Sequence, residues 1–280
     1  MPKMRINKEK QFYNFLLIKH GFELITVENY KRVLKKFIKD IGTDKPNKKQ
    51  TENYLAEMRK KDYSYSHISN SGVIISKFMK FIGRTIEWHR PRRPNTLPTR
   101  EILTEGEIAR ILAATKNSRE RAMISILAYC GLRNKELCQL KVKHIDLDNN
   151  LVKVIGGKFK KDRIVPMSRE CGRTIVKYVR DYERENKRRL FETLVLKRDY
   201  NGWALRKMVK VVAKRAKIKK RTYPHLFRHS FISHLIDRGA NIVAVQQFAG
   251  HSRIETTMLY THLTPQRIRK EYEFYIPSYV

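Results

Sequence analysis

Acidic residues are scarce in this chain. Asp and Glu number 27 against 61 Lys and Arg, a formal net charge of +34 over 280 residues. A compact chain so one-sided repels itself unless a polyanion lies against it, and nucleic acid is the obvious polyanion. The excess is not a tail: residues 1–90 hold 20 basic and 9 acidic side chains, a net +11, which leaves +23 for residues 91–280. Cysteine is also sparse. Cys130, Cys138 and Cys171 are odd in number and form no CxxC pair, which excludes a disulfide framework and a zinc ribbon and fits a reducing compartment. No stretch approaches the ~18 uninterrupted apolar residues of a membrane span. The start, MPKMRINKEK, lacks the apolar segment of a secretory signal. No G-x-x-x-x-G-K-[ST] loop, no HExxH and no carboxylate cluster suited to magnesium is present. The expectation is a cytoplasmic protein with no membrane partner, metal or other cofactor.

What is present suffices for a core. The hydrophobic share is 41%, with 12 Phe and 14 Tyr, so a disordered basic chain is excluded. Phe12, Phe15, Leu16, Val27, Tyr30, Val33, Leu34 and Phe37 recur at helical steps. Thr26 is the expected N-cap of the second of these helices. Two further amphipathic helices are expected over 48–60 and 66–83, the last stopped by Gly83. Residues 89–99, HRPRRPNTLPT, read as a semi-extended basic linker. Beyond it, Thr104 and Glu107 frame a capping box, and 119–130 form a mostly apolar, buried helix. Residues 151–155 and 164–166 make a β-hairpin around a Gly- and Lys-rich turn. Helices are expected at about 169–185, 203–217, 225–237, 241–249 and 253–262, with an amphipathic piece over 265–276. The fold class is mainly α with a small β-hairpin or sheet (α+β). The domains are 1–88 (helical), 89–99 (linker), 100–264 (the main domain) and 265–280 (tail).

Four separated pieces carry chemistry. In Gly131-Leu132-Arg133-Asn134-Lys135-Glu136-Leu137, the glycine ends one helix and Arg133 opens the next, where free N–H groups favour an anionic oxygen. A plain Arg133–Glu136 helix pair is the alternative. The hairpin tip Gly156-Gly157-Lys158-Phe159-Lys160-Lys161-Asp162-Arg163 presents lysines suited to a groove. Pro224 precedes a helix whose first turn holds His225 and Arg228, with His229 next round. Gly250-His251-Ser252 is followed by Tyr260. Two guanidiniums suit the non-bridging oxygens of a phosphoryl group in transfer. His groups complete the clamp, Tyr260 supplies an oxygen nucleophile, and a lysine protonates the departing alkoxide. Separately, Arg206, Lys207, Lys210, Lys214, Arg215, Lys217, Lys219, Lys220 and Arg221 follow one another with no acid between, a phosphate-contacting surface or a base-reading helix.

The order of these pieces resembles the tyrosine recombinases (phage-integrase family), most closely the simple Xer-like members, over roughly residues 10–275. The resemblance rests on the GLR-x-x-EL segment, the hairpin lysine, the H-x-x-R box, the Gly-His pair and a tyrosine nine residues after that histidine. It implies a helical core-DNA-binding (SAM-like) domain ahead of a catalytic domain, closing as a C-shaped clamp on double-stranded DNA with an inverted-repeat core site. Tyr260 would form a 3′-phosphotyrosyl link and Arg133 and Arg228 would hold the phosphate. His225 would act as base or hydrogen-bond partner, His251 as a donor, Lys158 as general acid, and Glu136 would support Arg133. Arg92, Arg93, Lys160 and Lys161 would join the cations above on DNA. A homotetramer would exchange strands through a Holliday junction, and the tail would dock on a neighbouring subunit, packing on its own domain being the alternative. Such a protein would be prokaryotic in type and nucleoid-associated. Phe159 stands where many relatives have glycine, and the Gly156-Gly157 step is one residue longer, which leaves Lys160 and Lys161 open as alternatives to Lys158. A type IB-like topoisomerase or hairpin resolvase with the same tyrosine chemistry is the other reading.

Overall fold

The structure is a computed structural model and describes residues 8–61, 63–90, 101–156, 162–183, 188–193, 199–250 and 255–258. The chain divides into two units, residues 1–98 and 99–280. Four amphipathic helices make the first: α1 (Lys8–Ile18), α2 (Leu24–Ile41), α3 (Lys48–Lys60) and α4 (Tyr65–Phe81). Their apolar stripes meet in one core of Phe12, Leu16, Leu34, Phe37, Ile75, Phe78 and Met79, in which Phe12 meets Phe78 edge-on at 5.4 Å. Thr26 does not cap α2. Glu23 is the N-cap, and the Thr26 N–H already donates to the Glu23 carbonyl at 2.8 Å, so Thr26 lies inside the first turn. Gly83 closes α4 with φ +77°, and the Arg84 N–H returns to the Met79 carbonyl at 2.9 Å.

The second unit is built around α6 (Ser118–Cys130). Residues 122–127 of this helix are all buried, and it packs against α5 (Glu105–Ala113), α8 (Arg169–Asp181) and α10 (Pro224–Asp237). Thr104 and Glu107 form the expected capping box on α5. The hairpin is β2 (Leu151–Val154) and β3 (Arg163–Pro166), with Val152 opposite Val165. A two-residue strand, β1 (Ile145–Asp146), joins it in the order β1-β2-β3, antiparallel throughout. Also present are α7 (Asn134–Gln139), α9 (Gly202–Arg215), α11 (Ile242–Ala249) and α12 (Glu255–Met258). A small cluster of Ile232, Ile236, Val245 and Ala249 fastens α11 onto α10. An apolar cavity of about 380 Å³ opens between α5, α6 and α10, lined by Ile108, Leu112, Tyr129, Phe231 and Leu235. Among the described residues, no helix is long and apolar enough to cross a membrane.

Candidate active site

Two glycines shape the site. Gly131 ends α6 in the left-handed region, φ +57°, and a Cβ there would run into the Phe231 ring. The reversal makes Arg133 the N-cap of α7. Glu136, at the third helical position, reaches back: one carboxylate oxygen accepts the Arg133 backbone N–H at 2.8 Å and the other accepts the Arg133 guanidinium at 2.7 Å. The expected pair with Glu136 and the expected opening of a helix are thus both present. The second Arg133 nitrogen donates to the carbonyl of Gly250 at 2.6 Å. Gly250 is itself left-handed, φ +59°, and ends α11.

Arg163, the first residue of β3, closes the hairpin-tip piece and is not among the expected site residues. It turns inward and lays both guanidinium nitrogens on Glu136, each at 2.8 Å, while its Nε donates to the Phe248 carbonyl at 2.9 Å. The aliphatic stem of Arg163 fills the space beside Gly250, 2.9 Å from where a Cβ would sit. Burial alone would push the Glu136 carboxyl up. The hydrogen bonds and charge of Arg163, joined by those of Arg133, reverse this and hold it at about 2. A signal for Arg163 existed in the sequence. In a strand where Val165 faces the core, period-2 alternation turns Arg163 the same way, and an inward cation needs an acid.

Arg228 comes from α10. Pro224 opens that helix at its first position, where the missing N–H costs nothing, and the next residue, His225, is exposed. The His225 ring meets that of His229, one helical turn on, edge to face at 4.8 Å. Arg228 is buried, with 2% of its surface exposed. Its guanidinium donates to the Gly131 carbonyl at 2.8 Å and to the Ala249 carbonyl. Three consecutive carbonyls at the end of α11 therefore each accept a different guanidinium: Phe248 from Arg163, Ala249 from Arg228, Gly250 from Arg133. Helix ends leave such carbonyls without partners inside the helix and carry partial negative charge, so cations are stabilised there. The three guanidiniums against one carboxylate leave a local charge of +2 (3 − 1).

The structure thus gathers Arg133, Glu136 and Arg228 around one helix end and adds Arg163. Lys158, His251 and Tyr260 lie outside the described residues, as do Arg92, Arg93, Lys160 and Lys161. The hairpin's neck is described. The Gly156 N–H donates to the Asp162 carboxylate at 2.9 Å, immediately before Arg163. Among the described residues, no three His, Cys, Asp or Glu side chains gather to hold a metal ion.

The basic surface lies on α9 and the segment after it. Arg206, Lys207, Lys210, Lys214 and Lys217 are all exposed. Trp203, 64% exposed, stands at the head of that helix with the Lys207 ammonium 5.2 Å from its ring centre. Arg206, Lys210, Lys214, Lys217 and Arg221 line an open groove of about 840 Å³. Arg215 departs from the expectation. Its guanidinium makes a two-pronged pair with Glu120 at 2.8 and 2.9 Å and donates to the Ala114 carbonyl, so it braces α6 instead of facing solvent. Lys220 is likewise tied to Glu107 and the Ile102 carbonyl.

The phage integrase family pattern matches residues 101–267. Tyrosine recombinase XerA of Pyrococcus horikoshii is 30% identical over 253 residues, which cover 89% of this chain and 86% of that protein. XerA of Thermococcus kodakarensis is 34% identical over 229 residues, 79% of each. Among solved structures, the Tn1549 transposon integrase in complex with transposon right end DNA superposes with a TM-score of 0.73 at 20% identity, covering 95% of this chain and 99% of that one. That last likeness is one of fold.

Proposed function

The chain belongs to the phage integrase family, and from that membership we propose how it breaks and rejoins DNA as a site-specific tyrosine recombinase. The observation that supports the scheme best is the convergence of Arg133 and Arg228, from two separate helices, on neighbouring carbonyls of α11. Two guanidiniums so held are preorganised for the two non-bridging oxygens of one phosphate and meet the charge that grows on them in the transition state.

In the proposed step the Tyr260 oxygen attacks the scissile phosphorus. A P–O(Tyr) bond forms and the P–O5′ bond breaks, leaving a 3′-phosphotyrosyl link. Lys158 gives its proton to the departing 5′ oxygen, with Lys160 and Lys161 as the alternatives. His225 takes the Tyr260 proton as base, and His251 donates a hydrogen bond to the phosphate. Rejoining reverses the step with the 5′-hydroxyl of the partner strand, through a Holliday junction. The phosphodiester is exchanged for a phosphodiester, so neither ATP nor a metal ion enters the scheme. Double-stranded DNA lies along Arg206, Lys207, Lys210, Lys214 and Lys217, with Arg92, Arg93, Lys160 and Lys161 adding phosphate contacts. The similarity to tyrosine recombinases favours this reading over a topoisomerase-like one.

The deciding experiment incubates the protein with a pool of nicked duplexes of randomised sequence and sequences the covalently trapped ends. A protein–DNA adduct on a restricted set of sequences is expected. Tyr260→Phe should bind those duplexes and form none. An adduct in that variant would move the nucleophile elsewhere, and a wild-type chain that forms no adduct would overturn the reading.

A further inference from the structure

Glu136 presents a difficulty that the clamp alone does not solve. Its carboxylate touches the Arg133 guanidinium at 2.7 Å, and its side chain is only 6% exposed. A carboxylate so close and so poorly screened orients the arginine but also offsets its charge. A phosphate arriving at Arg133 would then meet a nearly neutral ion pair. Arg163 supplies the missing charge. It faces the same carboxylate from strand β3, 10% exposed, with one nitrogen on each oxygen.

We propose that Arg163 is a positioning residue for strand cleavage: it takes up the charge of Glu136, so that this carboxylate aims Arg133 without neutralising it. The arithmetic is local. Arg228 aside, Arg133 with Glu136 sums to zero, and Arg163 restores +1 where the phosphate binds. Two details argue that the arginine is built in rather than merely accommodated. Its Nε is used on the Phe248 carbonyl, so the guanidinium has a fixed orientation. Its stem also lies where a side chain at position 250 would be, so glycine there makes room for it. Arg163 touches no reacting atom in this scheme. It acts through Glu136 on Arg133, and through α11 on the carbonyls that hold both clamp arginines. The proposal rests on the recombinase reading given above.

The test separates charge balance from packing. The duplex enriched by trapping serves as substrate, and two quantities are read: the single-turnover rate of adduct formation and the affinity for the same duplex. Arg163→Met should slow adduct formation by roughly 10–100-fold, the scale of one lost transition-state contact, with affinity changed by about twofold or less. Arg163→Lys, which keeps the charge, should stay within roughly tenfold of wild type. The decisive variant is Arg163→Met with Glu136→Gln. It removes a cation and an anion together, returns the local sum to +1, and should react about tenfold faster than Arg163→Met alone. A merely structural role predicts instead that the rate of each variant follows its thermal stability, since relief of the half-paired buried carboxylate would then act through folding alone. Thermal melting of each variant identifies any that fails to fold. Should Arg163→Met be one of these, the double variant, which buries no unpaired carboxylate, carries the test against wild type. A double variant no faster than the single one, or more than about 100-fold below wild type, overturns the proposal, as does an unimpaired Arg163→Met. Failure of the wild-type chain to form any adduct counts instead against the recombinase reading.

Discussion

Replacing Glu136 by Gln should destabilise the protein in a way that fades with acid. The carboxyl has an ordinary value of 4.5 and is held at about 2 in the folded chain. At ~1.36 kcal/mol per pH unit, that gap corresponds to about 3 kcal/mol in favour of the folded state. Because the folded value is the lower one, the contribution is fully present above about 4.5 and is lost as the pH falls toward 2. Roughly 2 kcal/mol of it is gone by pH 3, since the unfolded chain is then largely protonated at this position and the folded one is not. Glutamine keeps the shape and carries no charge at any pH. The stability difference between wild type and Glu136→Gln, read from urea unfolding at fixed ionic strength, should therefore shrink by about 2 kcal/mol between pH 7 and pH 3. Other carboxylates titrate in both proteins and cancel in the difference. A difference that stays constant across this range would refute the account of Glu136 as a carboxylate stabilised by two guanidiniums.

Gly131→Ala should cost roughly 1–2 kcal/mol for the left-handed backbone and a further ~1–3 kcal/mol for the overlap with Phe231, whereas Gly83→Ala, with open space around it, should show the first cost alone; urea midpoints at unchanged slope compare the two. Lys210→Ala should flatten the log–log dependence of DNA affinity on salt by about 0.9, one phosphate contact. Arg215→Ala should leave that slope alone and instead lower stability by ~1–3 kcal/mol, because it strands the Glu120 carboxylate; a flattened slope in Arg215→Ala would return it to the DNA-facing set. Deleting 265–280, where Ile268, Tyr272 and Tyr275 recur in the sequence at four- and three-residue steps, should preserve folding and single-site binding and weaken the pairing of two sites. Native gels with one-site and two-site duplexes read this, and recombination equal to that of the full chain would sink the idea of docking in trans.

Legibility from the sequence followed how local the determining interaction was. The Thr104–Glu107 capping box, the Gly83 stop and the hairpin are set by residues a few positions apart, and all were readable. Thr26 misled because a threonine three residues before Asn29 resembles a cap, while the chain reversal at Gly21, φ +59°, lets the helix begin earlier, at Leu24. Strand β1 has two residues, too few to show alternation. Arg215 looked like its neighbours in a run of cations. Yet it lies seven residues after Met208 and three after Val212, on the buried side of α9, and this periodicity was the clue. Arg163 was obscured by Ile164 and Val165. Two apolar residues in a row conceal which one faces inward, and Ile164 is the exposed one, at 57%. The partners of Arg133 and Arg228 at positions 250 and 249 were not readable at all, because no short-range pattern marks which carbonyl a distant guanidinium will meet.

The end of α11 also bears on how this protein can be rebuilt. Exchanging α9, the helix whose cations are proposed to lie on DNA, can place its junctions in the segments on either side of that helix, away from Phe248, Ala249 and Gly250. A chimaera joined between α10 and α11 has no such freedom. It would combine carbonyls from one parent with arginines at 133, 163 and 228 from the other, and each of three contacts would have to be matched anew. The portion carrying Tyr260 is consequently not an interchangeable cartridge. To keep the three contacts, residues 131–163 and 224–250 must come from one parent.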